Sequence, residues 1–404
     1  MNILTMRELT KFAIGGGWGA EELQDDTNEV TVIRGADFPA AAFQDISSAP
    51  IRFEKSSRIP NRVLNPGDIV LEVSGGTKAR PTGRTIFITQ KMVNDADSPL
   101  IPASFCRRLV IDTEKAVPHF VYYWLQNMYA KGQTWNYQNR STGIANFQFE
   151  QFLDRETVRL PNRQEQLKIA HLLGALDDKL AANQTSISKI DEILRALWQK
   201  ELSLSNVSAS LSSLASFING RAFTKGASGT GRVVVRIAEM NSGIGSRTVY
   251  NDIDAAPDNV VDPGELLFSW SGTLMTKRWP FDQAIVNQHI FKVVPNGQLD
   301  LWALRQAIDA QLEYFQMIAA GKATTMGHIK RGDLDQEVEV PAQMSEETNQ
   351  LGNSLWRLAT SLEIQNLQLA RTRDELLPLL MSGRITVGEA EEVANVAGTA
   401  AWES

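Results

Sequence analysis

The feature that most constrains the fold is a long apolar stripe that occurs twice in the 404-residue chain. In its first copy the apolar residues alternate between spacings of four and three, as in a heptad repeat, and predict one amphipathic helix over residues 165–202. The stripe consists of Ile169, Leu173, Leu176, Leu180, Asn183, Ile187, Ile190, Leu194 and Leu197. At about 1.5 Å per residue this helix is roughly 55 Å long, which is too long for the core of one small domain.

The second copy of the stripe lies 182 residues further along the chain. It consists of Leu351, Leu355, Leu358, Leu362, Gln365, Leu369, Thr372, Leu376 and Leu379. A polar amide interrupts both copies at the same step, Asn183 in the first and Gln365 in the second. The similarity of "DEIL" at 191–194 to "DELL" at 374–377 instead gives an offset of 183, so two registers that differ by one residue remain open.

Each apolar stripe needs a partner, because an exposed seam of this length would aggregate. The simplest partner is the other stripe, which predicts two antiparallel helices related by a pseudo-two-fold axis. In such a pair, Asn183 and Gln365 either specify the register or lie at a wet edge of the seam.

The segments that precede the two helices are also repeated. "LNPGDIVLEVSGGT" at 64–77 resembles "VDPGELLFSWSGT" at 261–273, and a short β-branched strand with an arginine, Arg34 or Arg236, precedes each. The sequence therefore predicts an α+β fold, in which two mixed α/β globular domains are separated by the pair of long helices. The predicted ranges are 1–160 for the first domain, 161–205 for the first helix, 206–340 for the second domain, 341–387 for the second helix and 388–404 for a flexible acidic tail.

The overall charge argues against a nucleic-acid binder, since such proteins usually carry a basic surface, whereas this chain has a net charge of -7. Four of the acids lie in the predicted tail, so part of the excess is peripheral. No apolar stretch approaches the roughly 20 residues needed to cross a bilayer, and no secretory signal is evident. The single cysteine, Cys106, cannot form an internal disulfide, and we expect a cytoplasmic protein with no membrane partner.

The motifs of common catalytic sites are missing from the sequence. The glycines at 75–76 and at 15–19 lack the spacing of phosphate-binding and dinucleotide-binding loops, and the four histidines have no metal-ligand spacing. No adenine methyltransferase motif is present either. The sequence therefore predicts a non-catalytic chain that has no cofactor or metal site of its own.

Basic residues nevertheless cluster in loops, where lysine and arginine suit phosphate contacts and arginine or an amide can read base edges. The candidate DNA-binding residues are Lys78, Arg80, Arg84, Arg221, Lys225, Trp270, Lys277, Arg278, Lys330 and Arg331. We favour the loop groups at 78–84 and 277–278 among them. For each charged residue a solvated surface position is the alternative, and Trp270 fits a core position equally well.

Two separated, unlike modules suit a two-part target such as duplex DNA, whose grooves recur on one face about every 34–36 Å. From residue 9 to 387 the chain also resembles the specificity subunits of type I DNA restriction-modification systems. The segments that carry this resemblance are "VDPGELLFSWSGT", "AIVNQHIFKV", "TTMGHIKRGDLDQEVEVP", "LPNRQEQLKIAHLLGALDDKL" and "RDELLPLLMSGRI". The first half matches the family's sequence motifs less closely, so its DNA contacts are harder to predict.

The resemblance implies two target-recognition domains, each of which reads one half of a bipartite, asymmetric DNA site. It also implies two modification subunits that use S-adenosylmethionine to methylate adenine at N6. Restriction subunits would add ATP- and Mg-dependent translocation and cleavage. The alternative is an interaction scaffold of the same architecture that reads no DNA, such as an orphan or decoy subunit. An enzyme with an unrecognised site is disfavoured by the missing motifs.

Overall fold

The computed structural model describes residues 2–77, 80–141, 144–321 and 327–399. The chain divides into two compact units, one formed by Met1–Ala182 with Gln368–Ser404 and the other by Asn183–Leu367. Each unit contains one globular module together with parts of two long helices. None of the described helices combines the length and apolarity needed to cross a membrane.

The first module runs from the first to the twelfth strand of the chain. Its strands are β1 (Asn2–Thr5), β2 (Thr10–Gly15), β3 (Thr27–Ile33), β4 (Ile51–Lys55), β5 (Ile69–Glu72), β6 (Ser74–Gly76), β7 (Thr85–Phe87), β8 (Leu100–Pro102), β9 (Cys106–Ile111), β10 (Gln138–Ser141), β11 (Ile144–Phe147) and β12 (Thr157–Leu160). Its helices are α1 (Met6–Leu9), α2 (Phe38–Ala41), α3 (Ile59–Arg62), α4 (Gln90–Asp95), α5 (Pro118–Ala130), the 3-10 helix Gln133–Tyr137 and α6 (Phe149–Arg155).

Two sheets form the centre of the first module, with strand orders β2-β9-β5-β7 and β4-β3-β8. All pairs are antiparallel except β3 with β8. Every residue of β5 is buried, and α5 covers this region with Phe120 and Tyr123. The same core continues onto the first long helix, α7 (Arg163–Leu204), through Ile169 and Leu173. The helix is therefore one wall of the first module's core.

The second module follows α7 and ends at the last strand of the chain. Its strands are β13 (Asn206–Ser210), β14 (Ala215–Asn219), β15 (Arg232–Val235), β16 (Tyr250–Asn251), β17 (Val260–Val261), β18 (Leu266–Ser269), β19 (Met275–Arg278), β20 (Ala284–Val286), β21 (Ile290–Pro295) and β22 (Glu337–Pro341). Its helices are α8 (Leu211–Leu214), α9 (Ile237–Ser242), the 3-10 helix Pro257–Asn259, α10 (Leu301–Asp309), α11 (Leu312–Gly321) and the 3-10 helix Arg331–Asp335.

The two modules share their central strand topology, although β17 adds a strand beside β20 in the second module and the sheet β10-β11-β6 is described only in the first. The order β14-β21-β18-β19 repeats β2-β9-β5-β7, and β16-β15-β20 repeats β4-β3-β8, including its one parallel pair. In both modules the first strand pairs with the last, β1 with β12 and β13 with β22. This duplication confirms the predicted α+β fold with two mixed modules.

The second long helix, α12 (Glu346–Ser382), is shorter than the predicted 341–387. Its end is set by Gly383, whose φ of 69° is left-handed, and the N–H of Arg384 closes the last turn on the carbonyl of Leu379 at 3.0 Å. Such a glycine stop is common because other residues adopt this conformation only at a cost.

Where a flexible acidic tail was expected, the chain instead forms helix α13 (Val387–Thr399). Thr386 begins this helix, accepting from the N–H of Glu389 at 3.3 Å while the Glu389 carboxylate accepts from the Thr386 N–H at 2.8 Å. Val387 and Ala390 are buried in the core of the first unit. Their spacing of three places both side chains on one face of the helix, so apolar burial orders a segment that its charge alone would leave in solvent.

The predicted contact between the two apolar stripes is present in both units. In the first unit, Leu173 and Leu176 of α7 share a core with Leu369 and Leu376 of α12. In the second unit, the Asn183 amide donates to Gln365 Oε1 at 2.7 Å and to Asn366 Oδ1 at 2.9 Å. Further along α7, Glu201 accepts from Thr348, which lies earlier in α12, so the two helices are antiparallel there. Because the two amides face each other in a buried position, they help to specify the register of α7 and α12.

Two predicted seam leucines lie on the outside of α12. Leu351 is 45% exposed and Leu358 is 49% exposed, whereas their neighbours Gly352 and Ala359 are buried. The reason is a close approach, because a Cβ at Gly352 would lie 2.3 Å from Trp302 Cε2. The first part of α12 thus follows the offset of 183 and the part from Leu369 follows 182. The remaining predicted seam positions are buried or partly buried.

Candidate nucleic-acid interface

Two ion pairs recur at equivalent places in the modules and hold each scaffold together. In the first module, Arg34 binds Asp37 at 2.7 Å, directly after β3. In the second module, Arg236 binds Glu239 at 2.6 Å, directly after β15. Burial opposes ionisation of each carboxyl group, but hydrogen bonds from its arginine and its other neighbours outweigh burial and lower the pKa of both Asp37 and Glu239. These arginines are structural.

The second recurring pair joins a turn to the strand beside it. Arg108 of β9 binds Asp68, just before β5, at 2.7 Å. Lys292 of β21 binds Glu265, just before β18, at 2.8 Å. Because the duplicated fold keeps the charge pair but exchanges the residue types, the pairing itself is what the scaffold requires.

At one sheet edge the two modules carry quite different side chains. In the second module, Arg221 follows β14 and forms a parallel bridge with Asn287, which follows β20. The N–H of Gln288 donates to the carbonyl of Arg221 at 2.9 Å, which holds these two residues side by side. Both Arg221 and Gln288 are exposed. We call the loops containing Arg221, Gln288 and His289 the second-module edge.

An aromatic cluster supports this edge. Trp270 packs on His289 with 4.9 Å between ring centroids, and its indole Nε1 donates to Asn219 Oδ1 at 2.8 Å. His328 lies across from Trp270, with ring centroids 6.4 Å apart. Trp270 is only partly buried, so it lies at the surface end of the core and not within it.

The equivalent edge of the first module carries exposed aromatic side chains. The N–H of Val73 donates to the carbonyl of Phe105 at 2.8 Å, as that of Trp270 does to His289 at 3.1 Å, so Phe105 occupies the place of His289. Phe105 is 63% exposed. Together with Trp18 it lines a cavity of about 850 Å³ that also contacts Arg34 and Glu72. We call the loops containing Trp18 and Phe105 the first-module edge.

Comparison with known proteins finds one family model that matches part of the chain. Residues 57–192 match the family model described as the type I restriction modification DNA specificity domain. The matched segment lies in the first module and the first part of α7. The match confirms the resemblance seen in the sequence motifs.

One solved structure agrees with this chain in fold. The crystal structure of the type I restriction-modification system S subunit from M. genitalium covers 94% of this chain and 95% of its own, with 15% sequence identity and a TM-score of 0.54. The HsdS subunit from Thermoanaerobacter tengcongensis covers 95% of this chain and 97% of its own, with 14% identity and a TM-score of 0.35. No curated protein sequence matches the chain significantly.

The described part of the basic loop predicted at 78–84 mostly stabilises the first module itself. Arg84 donates to both oxygens of the buried Glu72, at 2.9 and 2.6 Å, and to the carbonyl of Gly35. Arg80 donates to Glu72 at 3.0 Å and to the Gly75 carbonyl at 2.6 Å, but remains partly exposed. Lys78 lies outside the described residues. Most of the hydrogen-bond donors of Arg84 are therefore used within the module.

The prediction for Arg278 is wrong, because only 2% of this residue is exposed. Its guanidinium donates to both carboxylate oxygens of Glu363 in α12, the nearer at 2.8 Å, and lies 4.7 Å from the centre of the Trp356 ring. Neighbouring side chains in a strand point to opposite faces, and Lys277 accordingly remains partly exposed while Arg278 faces the helices.

The other predicted residues of the second module lie at the surface. Arg221, Lys225, Lys330 and Arg331 are all exposed. Ile329, which precedes Lys330, donates its N–H to the carbonyl of Trp270 at 3.0 Å, so this loop joins the aromatic cluster. For Gln288 and His289, which follow the strand-like "QAIV", the sequence left the direction of the side chains open, and neither was selected as a candidate. Trp18 and Phe105 were missed too, since a single exposed aromatic residue leaves no periodic signal.

Proposed function

We propose that this chain is the specificity subunit of a type I restriction-modification complex and reads a bipartite, asymmetric DNA site with one half-site per module. The observation that carries this proposal is the duplicated fold, in which equivalent sheet edges present different side chains. Trp18 and Phe105 form one edge, and Arg221 and Gln288 form the other. Two copies of one scaffold with unlike edges are suited to two unlike half-sites.

The charge distribution is compatible with DNA binding despite the acidic total. Most buried arginines are neutralised by carboxylates within the scaffold, as Arg84 is by Glu72 and Arg278 by Glu363. Exposed cations remain near the second-module edge, where Lys225 and Lys330 suit phosphate contacts. Further positive charge would come from partner subunits.

The partners would be double-stranded DNA, two modification subunits and restriction subunits. Leu351 and Leu358 lie two turns apart on the outer face of α12 and are each about half exposed. An apolar helix face of this kind supports docking of another subunit. S-adenosylmethionine, ATP and Mg would be bound by those partners, and this chain would contribute recognition without catalysis, in the cytoplasm.

The test is to co-express the chain with its modification subunit in a strain without DNA methylation and to sequence the methylome. We expect N6-methyladenine in one split motif, and its loss when this chain is omitted. Persistence of that motif without the chain would overturn the proposal. Assembly with the modification subunit but no methylated motif would instead favour the DNA-independent scaffold.

A further inference from the structure

We propose that Arg221 and Gln288 read two neighbouring purines of the second half-site, a guanine and an adenine, and that His289 positions Gln288. This inference rests on the proposed function and adds to it the residues and bases of one half-site. It starts from the internal duplication, which separates what the scaffold requires from what differs between modules.

The backbone at this edge is the same in both modules. A Cβ at Gly16 would lie 2.0 Å from the carbonyl oxygen of Pro102, and a Cβ at Gly220 would lie 2.1 Å from that of Asn287. Each glycine therefore permits the same close crossing of two loops. The residues after the crossing differ, because Gly17 in the first module is replaced by Arg221 in the second. The crossing therefore belongs to the scaffold that both modules share, whereas the side chains that follow it differ and can specify a target.

Arg221 is unlike most other arginines discussed above. Arg34, Arg84, Arg236 and Arg278 are all bound to carboxylates. Within the part of the chain that the structure describes, the side chains of Arg221 and Gln288 have no hydrogen bond or ion pair, and both are exposed. The guanidinium offers five donors, and the amide offers two donors and an acceptor. These groups are available to a ligand.

His289 has a strained backbone. Its φ is 76°, whereas among the described residues only Asp26 and Gln44 are other non-glycine positions with positive φ. Phe105, at the equivalent place, does not share it. A non-glycine residue holds this conformation only where its surroundings enforce it, and such strain concentrates at functional sites. The ring of His289 also packs against Trp270.

Two buried polar atoms flank Gln288 without a partner in the described structure, Asn287 Oδ1 and His289 Nδ1. Most buried polar groups in proteins are hydrogen-bonded, so two orphans on either side of one exposed amide are unusual. This observation is independent of the backbone strain and points to the same position.

The chemistry of the two side chains selects the bases. Arginine donates two hydrogen bonds to guanine O6 and N7, and glutamine pairs in a bidentate manner with adenine N6 and N7 in the major groove. Adjacent strands lie about 4.8 Å apart, close to the roughly 3.4 Å between stacked base pairs. Because the N–H of Gln288 binds the carbonyl of Arg221, the two long side chains start from adjacent backbone positions and can reach neighbouring base pairs.

The experiment uses the complete chain with its modification subunit and compares methylated motifs by methylome sequencing. In the Arg221→Ala complex we expect one guanine of one half-site to relax to any base, with a loss of about ten- to hundredfold in discrimination. In the Gln288→Ala complex the neighbouring adenine should relax. The other half-site should be unchanged in both. As a matched control, Lys225→Ala should weaken binding to all sequences alike.

The positioning role of His289 is tested separately. Glycine adopts positive φ without strain, so His289→Gly should keep the adenine preference, whereas His289→Val should lose it. An unchanged motif in both Arg221→Ala and Gln288→Ala would overturn the inference, as would relaxation in both half-sites. A wild-type complex that methylates no split motif would instead overturn the proposed function, and this inference with it.

Discussion

The Asn183 side chain of one long helix donates its amide hydrogen to Gln365 Oε1 of the other at 2.7 Å, with only 2% and 8% of the two residues exposed. A buried amide pair stabilises little compared with an apolar contact, but it penalises every register that separates its members. The sequence had left open whether these amides lie at a wet edge. Because both amides are buried and paired, they contribute to the alignment of the two long helices.

Substitution of one member of this pair should leave the other amide unpaired and lower the free energy of unfolding. Asn183→Ala leaves Gln365 without its donor, and we expect a loss of about 1–3 kcal/mol in the free energy of unfolding. The double variant Asn183→Leu with Gln365→Leu should recover stability, because both polar groups are removed together. Urea unfolding of the three proteins gives the comparison. A double variant as unstable as the single one would contradict this account of the pair.

The contact between Gly352 and Trp302 predicts a strong effect from one methyl group. Gly352→Ala should destabilise the chain by about 1–3 kcal/mol, because the new Cβ overlaps a buried ring. Gly388 is the control, since it lies in α13 with nothing within 4 Å of its Cβ position. Gly388→Ala should be neutral or stabilising by up to about 1 kcal/mol. Thermal unfolding measures both, and equal effects would refute the packing argument.

Substitutions at the neighbouring residues Lys277 and Arg278 should differ in their effect on stability, because only Arg278 is buried. Arg278→Ala leaves the carboxylates of Glu363 and Asp191 without this partner, and we expect a loss of about 3 kcal/mol. Lys277→Ala should change stability by less than about 0.5 kcal/mol. Chemical unfolding of the two variants decides the point, and a stable Arg278→Ala protein would show that the buried pair is dispensable.

His119 should make the first unit sensitive to mild acid. Its ring stacks on Phe87 with centroids 4.2 Å apart, and burial lowers its pKa from 6.5 despite the opposing charge of Asp177. A histidine whose pKa is depressed in the fold takes up its proton more readily when unfolded. The fold therefore keeps this stability above about pH 6.5 and loses it as the pH falls further.

The measurement is the free energy of unfolding of wild type and His119→Phe at pH 7.5 and pH 5.5. The variant should lose less stability between these pH values than the wild type does. Carboxyl groups such as Asp37 and Glu239, whose pKa values are lowered, act mainly at lower pH and are common to both proteins. Identical slopes would mean that His119 is not responsible.

The exposed leucines of α12 should matter for assembly and not for folding. Leu351→Lys combined with Leu358→Lys should prevent co-purification with the modification subunit while leaving the melting temperature nearly unchanged, because both side chains face solvent. Arg357→Ala, at an exposed position on the same helix, is the control and should retain binding. Normal assembly of the leucine variant would place the docking surface elsewhere.

The repeated architecture was predictable because it depends on properties that are local in the chain. Heptad spacing marks both long helices, and the matching segments around Pro66 and Pro263 reveal the duplicated module before any contact is known. Burial of Cys106, where it raises the pKa of the thiol to about 12, likewise follows from its place in an apolar strand.

What each polar side chain does was decided only by the tertiary structure. Arg278 and Arg221 are the same residue type and were both predicted to contact DNA. Arg278, at the end of β19, binds Glu363, which lies 85 positions further along the chain, whereas Arg221 is exposed to solvent. Leu351 lies outside the contact between the two long helices because its neighbour Gly352 packs closely against Trp302 of another helix, α10. Periodicity is a property of neighbours in the chain, but burial and pairing depend on residues that only folding brings together.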